Sequence, residues 1–252
     1  MPEAATAGPR RYNRYLARRR FFVDQIRSGA AELRGEEARH LTRVLRVEAG
    51  QRFEVSDNER AFLAEIEEAK GERVVFRILE PLEIVPVPVR ITLCAALIKF
   101  DRFEWMVEKA TELGVERILP VEATRSERGL LEASRKRAER WMRIARESSQ
   151  QSRRVRIPEI LPGTRFAAAL TTEAGHRFFL EEDTAPALLH EIPEERQETV
   201  AILLGPEGGW TDSEREAARA AGWNAVSLGP QVLRAETAAC AALAVVMAAW
   251  CA

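Results

Sequence analysis

Cysteine and histidine are scarce in this chain of 252 residues, which contains three of each. The cysteines at positions 94, 240 and 251 lie far apart, and the histidines are equally scattered. Neither residue type has the spacing of metal ligands or of a disulfide framework. We therefore expect no structural disulfide, no zinc or haem site, and no other bound metal.

Long apolar runs are also missing. The longest segment without a charge, residues 237–252, has 16 residues, whereas a helix that crosses a bilayer needs about 20. No positively charged segment precedes an apolar stretch at the N-terminus, so a secretory signal peptide is not expected. With 46% hydrophobic and 31% charged residues, the composition predicts a globular cytoplasmic protein without membrane contact, in which residues 237–252 form a buried helix.

Lysine is rare, since the 38 Lys and Arg residues include 34 arginines. The net charge of -1 conceals basic segments at 1–20 and 125–156 and an acidic segment at 173–200. Such a polarised chain can attract a polyanion on one face, and guanidinium groups favour bidentate phosphate contacts. Solvated helix faces, a disordered N-terminal tail and a genome-wide preference for arginine would produce the same pattern.

Proline is concentrated where Pro81, Pro86 and Pro88 fall within eight residues. Proline fixes its own φ and restricts the preceding residue, so this segment is predicted to be an extended connection. We divide the chain into a basic N-terminal extension (1–19), a first domain (20–82) and a second domain (89–252).

The two domains have different patterns. In the first, short strand-like segments at 21–23, 52–56, 61–66 and 74–78 and one helix at 36–46 predict a small β-barrel or curled sheet. In the second, strands alternate with helices, which predicts an α/β fold with a parallel sheet covered on both faces. The strands of the second domain are predicted at residues 91–97, 118–121, 178–180, 200–204 and 225–228, and helices between them are centred on 132–151, 164–171, 185–191 and 212–221.

Two pairs of residues have the spacing of a helix capping box. In this motif the side chain of the first residue accepts a hydrogen bond from the backbone N–H three residues later, and the side chain of that later residue accepts one from the backbone N–H of the first. Asp101 and Glu104 precede the first helix of the second domain, and Thr211 and Glu214 follow the strand at 200–204. We expect a helix to begin at each pair.

The phosphate-binding motifs of nucleotide-dependent enzymes are absent, since the chain has neither G-x-G-x-x-G nor a Gly-Lys-Ser/Thr ending. Instead, the strand at 200–204 leads into the sequence GPEGG at 205–209. Glycines let a backbone approach a ligand closely, although a plain strand-to-helix turn would have the same sequence. We call residues 205–209 the glycine turn.

A second segment follows the strand at 225–228. Gly229 and Pro230 turn the chain, and Arg234 and Glu236 precede the last helix. Since ligands of parallel sheets bind beyond the carboxyl ends of the strands, we expect both charges at the mouth of such a site. A loop ion pair that caps the helix is the alternative.

Together these segments resemble a known family. GPEGGWTDSE (205–214) and LGPQVLRAETAA (228–239) are similar to the C-terminal signature of the SPOUT methyltransferases, and more narrowly to the bacterial small-subunit (16S) ribosomal RNA uracil-N3 methyltransferases. Upstream segments match the same family in order, namely RFFV at 20–23, HLTRVLR at 40–46, KFDR at 99–102, EKATELG at 108–114 and ESSQQSR at 147–153.

The resemblance implies a PUA-like β-barrel joined to a parallel-sheet SPOUT domain with a deep trefoil knot. It also implies a homodimer that acts on 16S ribosomal RNA of the small ribosomal subunit, with S-adenosylmethionine as cofactor. By family position, the expected cofactor-binding residues are Leu180, Gly205, Pro206, Glu207, Gly208, Gly209, Leu228, Gly229, Val232 and Leu233.

Catalytic and RNA-binding roles follow from charge and, for two arginines, also from family position. By both, Arg234 and Arg20 are expected to stabilise negative charge on the uracil ring. Glu207 or Glu236 is expected to accept the N3 proton if it lies within hydrogen-bond reach, and a purely structural role is the alternative for each. By their charge, the residues expected to contact RNA are Arg10, Arg14, Arg18, Arg19, Arg20, Arg43, Arg46, Arg125 and Arg153. Three positions differ from the family pattern: Phe100 replaces a small residue, Gln150 a glutamate and Pro230 a basic residue.

Three other functions are consistent with parts of this pattern. One is a SPOUT enzyme that methylates a ribose 2′-hydroxyl or a different base. Another is a non-catalytic rRNA-binding assembly factor with the same fold, and the third is a nucleotide-dependent α/β enzyme. The resemblance over most of the chain disfavours the first, the intact motifs at 205–209 and 233–238 disfavour the second, and the missing phosphate-binding motifs disfavour the third.

Overall fold

A computed structural model describes residues 19–182 and 185–250 of the protein. The chain divides into two compact units between Glu83 and Ile84. Most of the expected N-terminal extension, including Arg10, Arg14 and Arg18, lies outside the described residues.

The first unit is a curled sheet of six strands in the order β1-β4-β5-β6-β3-β2. Only β1 and β4 pair in parallel; the other neighbours are antiparallel. The strands are β1 Arg20–Phe22, β2 Ile26–Arg27, β3 Ala30–Arg34, β4 Arg52–Ser56, β5 Ala61–Lys70 and β6 Arg73–Pro81. Helix α1 (Gly35–Arg43) of this unit ends three residues before the predicted Arg46, which has a φ of +50°.

Alternation along the strands separates the core of this unit from its surface. On β6, Val74 and Phe76 are fully buried. Arg73 and Arg77, which flank these two residues, point outward and pair with Glu32 at 2.5 Å and with Glu65 at 2.6 Å. The period of two in the sequence thus places apolar side chains inside and ion pairs outside.

The second unit contains a parallel sheet in the order β10-β8-β7-β12-β11-β13, and β9 also pairs with β8. Its parallel topology confirms the prediction from strand–helix alternation. The strands are β7 Arg90–Ala96, β8 Arg117–Glu122, β9 Glu159–Ile160, β10 Thr164–Arg165, β11 His176–Leu180, β12 Thr199–Leu204 and β13 Asn224–Val226.

Helices cover both faces of this sheet. They are α2 Phe100–Glu112, α3 Leu130–Ser134, α4 Ala138–Gln151, α5 Phe166–Ala169, α6 Leu188–Glu191, α7 Asp212–Ala220 and α8 Ala235–Ala249. The sequence of the central strand β12 does not alternate between apolar and polar residues, and the burial of the strand explains this. Ile202 belongs to the core beneath α2, α4 and α8, and Leu203 to the core beneath α5 and α7, so both faces of the strand are buried.

The predicted capping box at Asp101 and Glu104 is wrong. Helix α2 begins at Phe100, and its N-cap residue Lys99 makes no side-chain capping bond. Glu104 instead accepts from Arg140 at 2.8 Å and pairs with Arg137 at 3.5 Å. The carboxylate that would accept in a capping box is therefore bound by two arginines of the next helical segment.

The C-terminal segment forms the buried helix that its composition predicted. Within α8, Ala239, Ala242 and Leu243 are completely buried. None of the helices in the described ranges is both long enough and apolar enough to cross a membrane.

Candidate active site

An open cleft lies beyond the carboxyl ends of β11, β12 and β13, next to the start of α8. The space between its walls is about 620 Å³, a volume that includes open solvent at its mouth. The sheet edge predicted from strand order is therefore where the cleft lies. Eight of the ten predicted cofactor-binding residues line it, namely Leu180, Gly205, Pro206, Glu207, Gly209, Leu228, Gly229 and Leu233. Their contact with a cofactor stays a prediction.

The other two predicted cofactor-binding residues lie outside the cleft lining. Val232 exposes 75% of its surface, and the carbonyl of Gly208 accepts a hydrogen bond from Arg125 at 2.7 Å. The prediction also missed eight lining residues. These are Glu181, Glu182, Leu204, Trp210, Ser227, Gln231, Ala235 and Ala238.

Trp210 forms one wall of the cleft and fixes the neighbouring backbone. Its ring stacks on Phe179, with centroids 5.0 Å apart, and its indole N–H donates to the carbonyl of Leu180 at 3.0 Å. A Cβ on Gly205 would lie 3.0 Å from this indole, closer than normal packing allows. The position of Trp210 therefore favours a residue without a Cβ at position 205. The tryptophan immediately after the two glycines was the available sequence signal.

A buried ion pair lies at the base of the cleft. The side chain of Glu181 is 3% exposed, and the guanidinium of Arg215 donates to its two oxygens at 2.7 and 3.1 Å. A bidentate pair of this kind holds both groups in one orientation. Without Arg215, the buried carboxylate of Glu181 would carry an unpaired charge beside the cleft, which would destabilise the folded protein.

The capping box at Thr211 and Glu214 is confirmed. Glu214 is 4% exposed, and its carboxylate accepts from the backbone N–H groups of Thr211 at 2.9 Å and Thr124 at 2.8 Å. Burial acts to raise the pKa of this carboxyl, but these hydrogen bonds outweigh it and the pKa lies below its usual value. The same side chain thus caps α7 and attaches the loop that follows β8.

Two arginines contact the glycine turn. Arg102, in the first turn of α2, forms an ion pair with Glu207. Arg125 follows Thr124 in the loop after β8 and donates to the carbonyl of Gly208. Arg125 was predicted to bind RNA, whereas Arg102 was not predicted as a site residue.

Arg234 and Glu236 lie at the start of α8. Arg234 is the exposed N-cap residue, and no side-chain capping bond is present. Glu236 is in the first helical turn, and its Oε2 atom is buried without a hydrogen-bond partner among the described residues. No ion pair joins the two side chains within the described part of the chain, so the loop ion pair considered from the sequence is not formed.

The remaining predicted site residues are on other surfaces. Arg20 is in β1 of the first unit, where it is 8% exposed and pairs with Glu54 at 2.9 Å. Its catalytic role stays a prediction. The predicted RNA-binding residues that are exposed are Arg19, Arg43, Arg46, Arg125 and Arg153.

Comparison with known protein families identifies the family to which this chain belongs. Residues 85–247 match the model of an RNA methyltransferase domain, and residues 33–79 match that of an RNA methyltransferase PUA domain. The chain belongs to this RNA methyltransferase family. The PUA match falls within the curled sheet of the first unit, which confirms the predicted PUA-like domain.

Curated relatives in this family are named ribosomal RNA small subunit methyltransferase E. The relative from Synechocystis is 34% identical over 232 residues, which cover 88% of this chain and 74% of the relative. The relative from Mycobacterium tuberculosis is 33% identical over 242 residues, with 90% of each chain covered.

Solved structures in the family share the whole fold. The ribosomal RNA small subunit methyltransferase E of Neisseria gonorrhoeae, bound to S-adenosylmethionine, has a TM-score of 0.84 and 30% identity and covers 92% of this chain and 98% of its own. A Legionella pneumophila methyltransferase in complex with S-adenosylmethionine has a TM-score of 0.83 and 30% identity, with coverages of 91% and 97%.

Proposed function

We propose that this protein transfers the methyl group of S-adenosylmethionine to N3 of a uridine in 16S ribosomal RNA. The single observation that carries this proposal is the cleft between the glycine turn and the segment before α8, in a chain of the RNA methyltransferase family. Two relatives with 30% identity hold S-adenosylmethionine. The choice of N3 rests on the sequence resemblance to the uracil-N3 methyltransferases.

The residues of the cleft fit the proposed cofactor. Leu204, Leu233 and Ala238 provide an apolar surface suited to the adenine ring. A Cβ added at Gly229 would meet nothing within 4 Å, and its φ of +128° favours glycine, so the backbone there is open to close approach. Glu182, at the rim, supplies a negative charge for a cationic ligand. When bound, the cofactor supplies an electrophilic methyl group on a sulfonium.

The protein must stabilise the negative charge that forms on the uracil ring when N3 loses its proton. That proton is held in base pairing, so the target base must be unpaired or flipped out first. Arg234 has an exposed side chain between the lining residues Leu233 and Ala235, and we assign it to the uracil oxygens. Arg20 is the second arginine proposed for this role.

Two carboxylates are proposed for proton removal. The carboxylate of Glu207 is already paired with Arg102. Glu236 has an oxygen without a donor among the described residues, so it has a free acceptor, although this atom is turned into the protein. A rotation of the Glu236 side chain toward the cleft is part of the proposal for that residue.

RNA binding and assembly complete the proposal. RNA phosphates would be attracted in a salt-dependent manner by exposed arginines and by arginines outside the described residues. The exposed ones are Arg19, Arg43, Arg46, Arg125 and Arg153, and the others are Arg10, Arg14 and Arg18.

We further propose a homodimer, a trefoil knot in the second unit and a cytoplasmic location. The knot rests on the resemblance of residues 205–214 and 228–239 to the SPOUT methyltransferases. The 45% exposure of Trp105 supports a partner surface on α2.

The decisive experiment incubates the protein with labelled S-adenosylmethionine and small ribosomal subunits that lack the modification. Nucleosides from the product are then identified by mass spectrometry. We expect 3-methyluridine. Recovery of a 2′-O-methyl nucleoside or of another methylated base would replace the N3 assignment. A calorimetric titration without heat of cofactor binding would instead favour the non-catalytic assembly factor.

A further inference from the structure

The glycine turn is held by arginines from two segments that are distant in sequence. Gly205, Pro206, Glu207 and Gly209 line the cleft. On the same turn, the side chain of Glu207 and the carbonyl of Gly208 are bound by Arg102 and Arg125. Neither arginine lines the cleft, so the turn faces the ligand site while side chains outside the lining bind it.

Arg102 is placed for this contact by helix α2. It lies in the first helical turn, and its side chain is 33% exposed while that of Glu207 is 42% exposed. The ion pair is thus partly shielded from solvent, where screening weakens it less than at a fully exposed site. It joins the start of α2 to the middle of the turn.

Arg125 binds the next residue of the turn. Its guanidinium donates to the carbonyl of Gly208 at 2.7 Å, and a Cβ on Gly208 would lie 3.2 Å from the Cβ of Arg125. The arginine stem therefore packs against Gly208, which explains a glycine that does not line the cleft. This contact gives Gly208 a role other than the predicted contact with a cofactor.

The position of Arg125 is itself fixed by its neighbour. The backbone N–H of Thr124 donates to the buried carboxylate of Glu214 at 2.8 Å. Because Glu214 also caps α7, the loop after β8 is attached to the helix that follows the glycine turn. Arg125 thus reaches the turn from an anchored backbone.

We propose that Arg102 and Arg125 are positioning residues that hold the glycine turn in the shape that binds the cofactor. This inference rests on the proposed function, in which the turn contacts S-adenosylmethionine. A loop that is ordered before a ligand arrives loses less conformational freedom when the ligand binds, so its affinity is higher. The two arginines provide that order without touching the ligand.

A role for Arg125 in RNA binding alone makes a different prediction. In that case the Arg125→Gln variant would weaken RNA binding and leave cofactor affinity unchanged in the absence of RNA. A positioning role requires a change in cofactor affinity without RNA. The two roles are therefore separable by a titration that contains only protein and cofactor.

The test measures the dissociation constant for S-adenosylmethionine by calorimetry for the wild type, Arg102→Gln and Arg125→Gln. Each variant is expected to raise Kd by about three- to tenfold and to raise KM for the cofactor more than it lowers kcat. The control is Arg140→Gln, which removes an ion pair from Glu104 of the same helix α2 and should leave Kd unchanged.

A second measurement tests the positioning itself. Hydrogen exchange of the backbone at residues 205–209, without cofactor, should be faster in Arg102→Gln and Arg125→Gln than in the wild type and in Arg140→Gln. Wild-type binding with unchanged Kd and unchanged exchange in both variants would overturn the inference and leave the proposed function intact. A wild type that does not bind S-adenosylmethionine would overturn the proposed function, whatever the exchange data show.

Discussion

The indole N–H of Trp210 donates a hydrogen bond of 3.0 Å to the carbonyl of Leu180. The first residue follows the glycine turn, and the second ends β11. This bond therefore joins two of the strand ends that form the cleft, and the stacking of Trp210 on Phe179 keeps the indole in place. The shape of the cleft depends on a buried side chain as well as on the backbone of its loops.

Replacement of Trp210 by phenylalanine should weaken both stability and cofactor binding. The carbonyl of Leu180 loses its donor, and the free energy of unfolding should fall by about 1–3 kcal/mol. Trp223→Phe is a matched control, because the indole of Trp223 donates to the carbonyl of Leu170 at 3.2 Å, away from the cleft. Urea denaturation should show comparable losses for the two variants, and calorimetry a weaker S-adenosylmethionine affinity only for Trp210→Phe. Equal affinities would contradict the role of this tryptophan.

Gly205→Ala should reduce cofactor affinity by about tenfold or more, because overpacking forces neighbouring groups to move. Its Cβ would lie 3.0 Å from the buried indole of Trp210, so either the ring or the glycine turn must shift. Gly163→Ala, at a residue that does not line the cleft, places its Cβ 2.9 Å from a methyl carbon at the flexible end of the Leu131 side chain, which can move aside at a smaller cost. Thermal denaturation should show a larger stability loss for Gly205→Ala than for Gly163→Ala, and calorimetry should show weaker binding for Gly205→Ala alone. An unaltered affinity in Gly205→Ala would count against close packing at this position.

Glu214→Gln should destabilise the protein by about 1.5–3 kcal/mol at neutral pH, since it removes a charged acceptor from two backbone donors. The native pKa lies below the ordinary value of 4.5, so the stabilisation by the carboxylate is fully present above that value. As the pH falls from 4.5 through the lowered native pKa, the stabilisation is lost. Urea denaturation of wild type and variant should therefore give a difference that shrinks on acidification below pH 4.5. A difference that grows there would contradict the direction of the pKa shift.

The two proposed proton acceptors should differ in how their loss affects the reaction. If Glu236 accepts the N3 proton, Glu236→Gln should lower kcat by about 100-fold or more and remove the acidic limb of the pH–rate profile. Glu207→Gln should then act mainly on KM for S-adenosylmethionine, because it removes the ion pair with Arg102 that holds the glycine turn. Single-turnover rates between pH 5 and 9 would measure both effects. The opposite result would assign proton removal to Glu207.

Features that depend on neighbouring residues were predictable from the sequence. Thr211 and Glu214 are three residues apart, and both hydrogen bonds of their capping box form within one helical turn. The alternation of strands and helices along the second unit likewise predicted a parallel sheet covered on both faces, as the structure shows. Residues close in sequence meet whenever their element forms, so such a pattern predicts the contact as long as no distant group competes for the same side chain.

The same rule failed where a distant group competed for the side chain. Asp101 and Glu104 have capping-box spacing, but Arg137 and Arg140 bind Glu104. Their helical segment packs against α2 only in the folded protein. The sequence pattern was valid as a local preference, and a tertiary ion pair replaced it.

The sequence by itself determined the alternation of strands and helices in the second unit, the glycine turn, the family and half of the residues around the cleft. The tertiary structure decided that Arg102 meets Glu207, that Arg125 meets Gly208 and that Trp210 meets Leu180. The members of each pair come from separate segments, and no spacing rule connects them. They come together because the parallel sheet brings the ends of its strands to one edge, where packing of the whole unit selects which side chains touch.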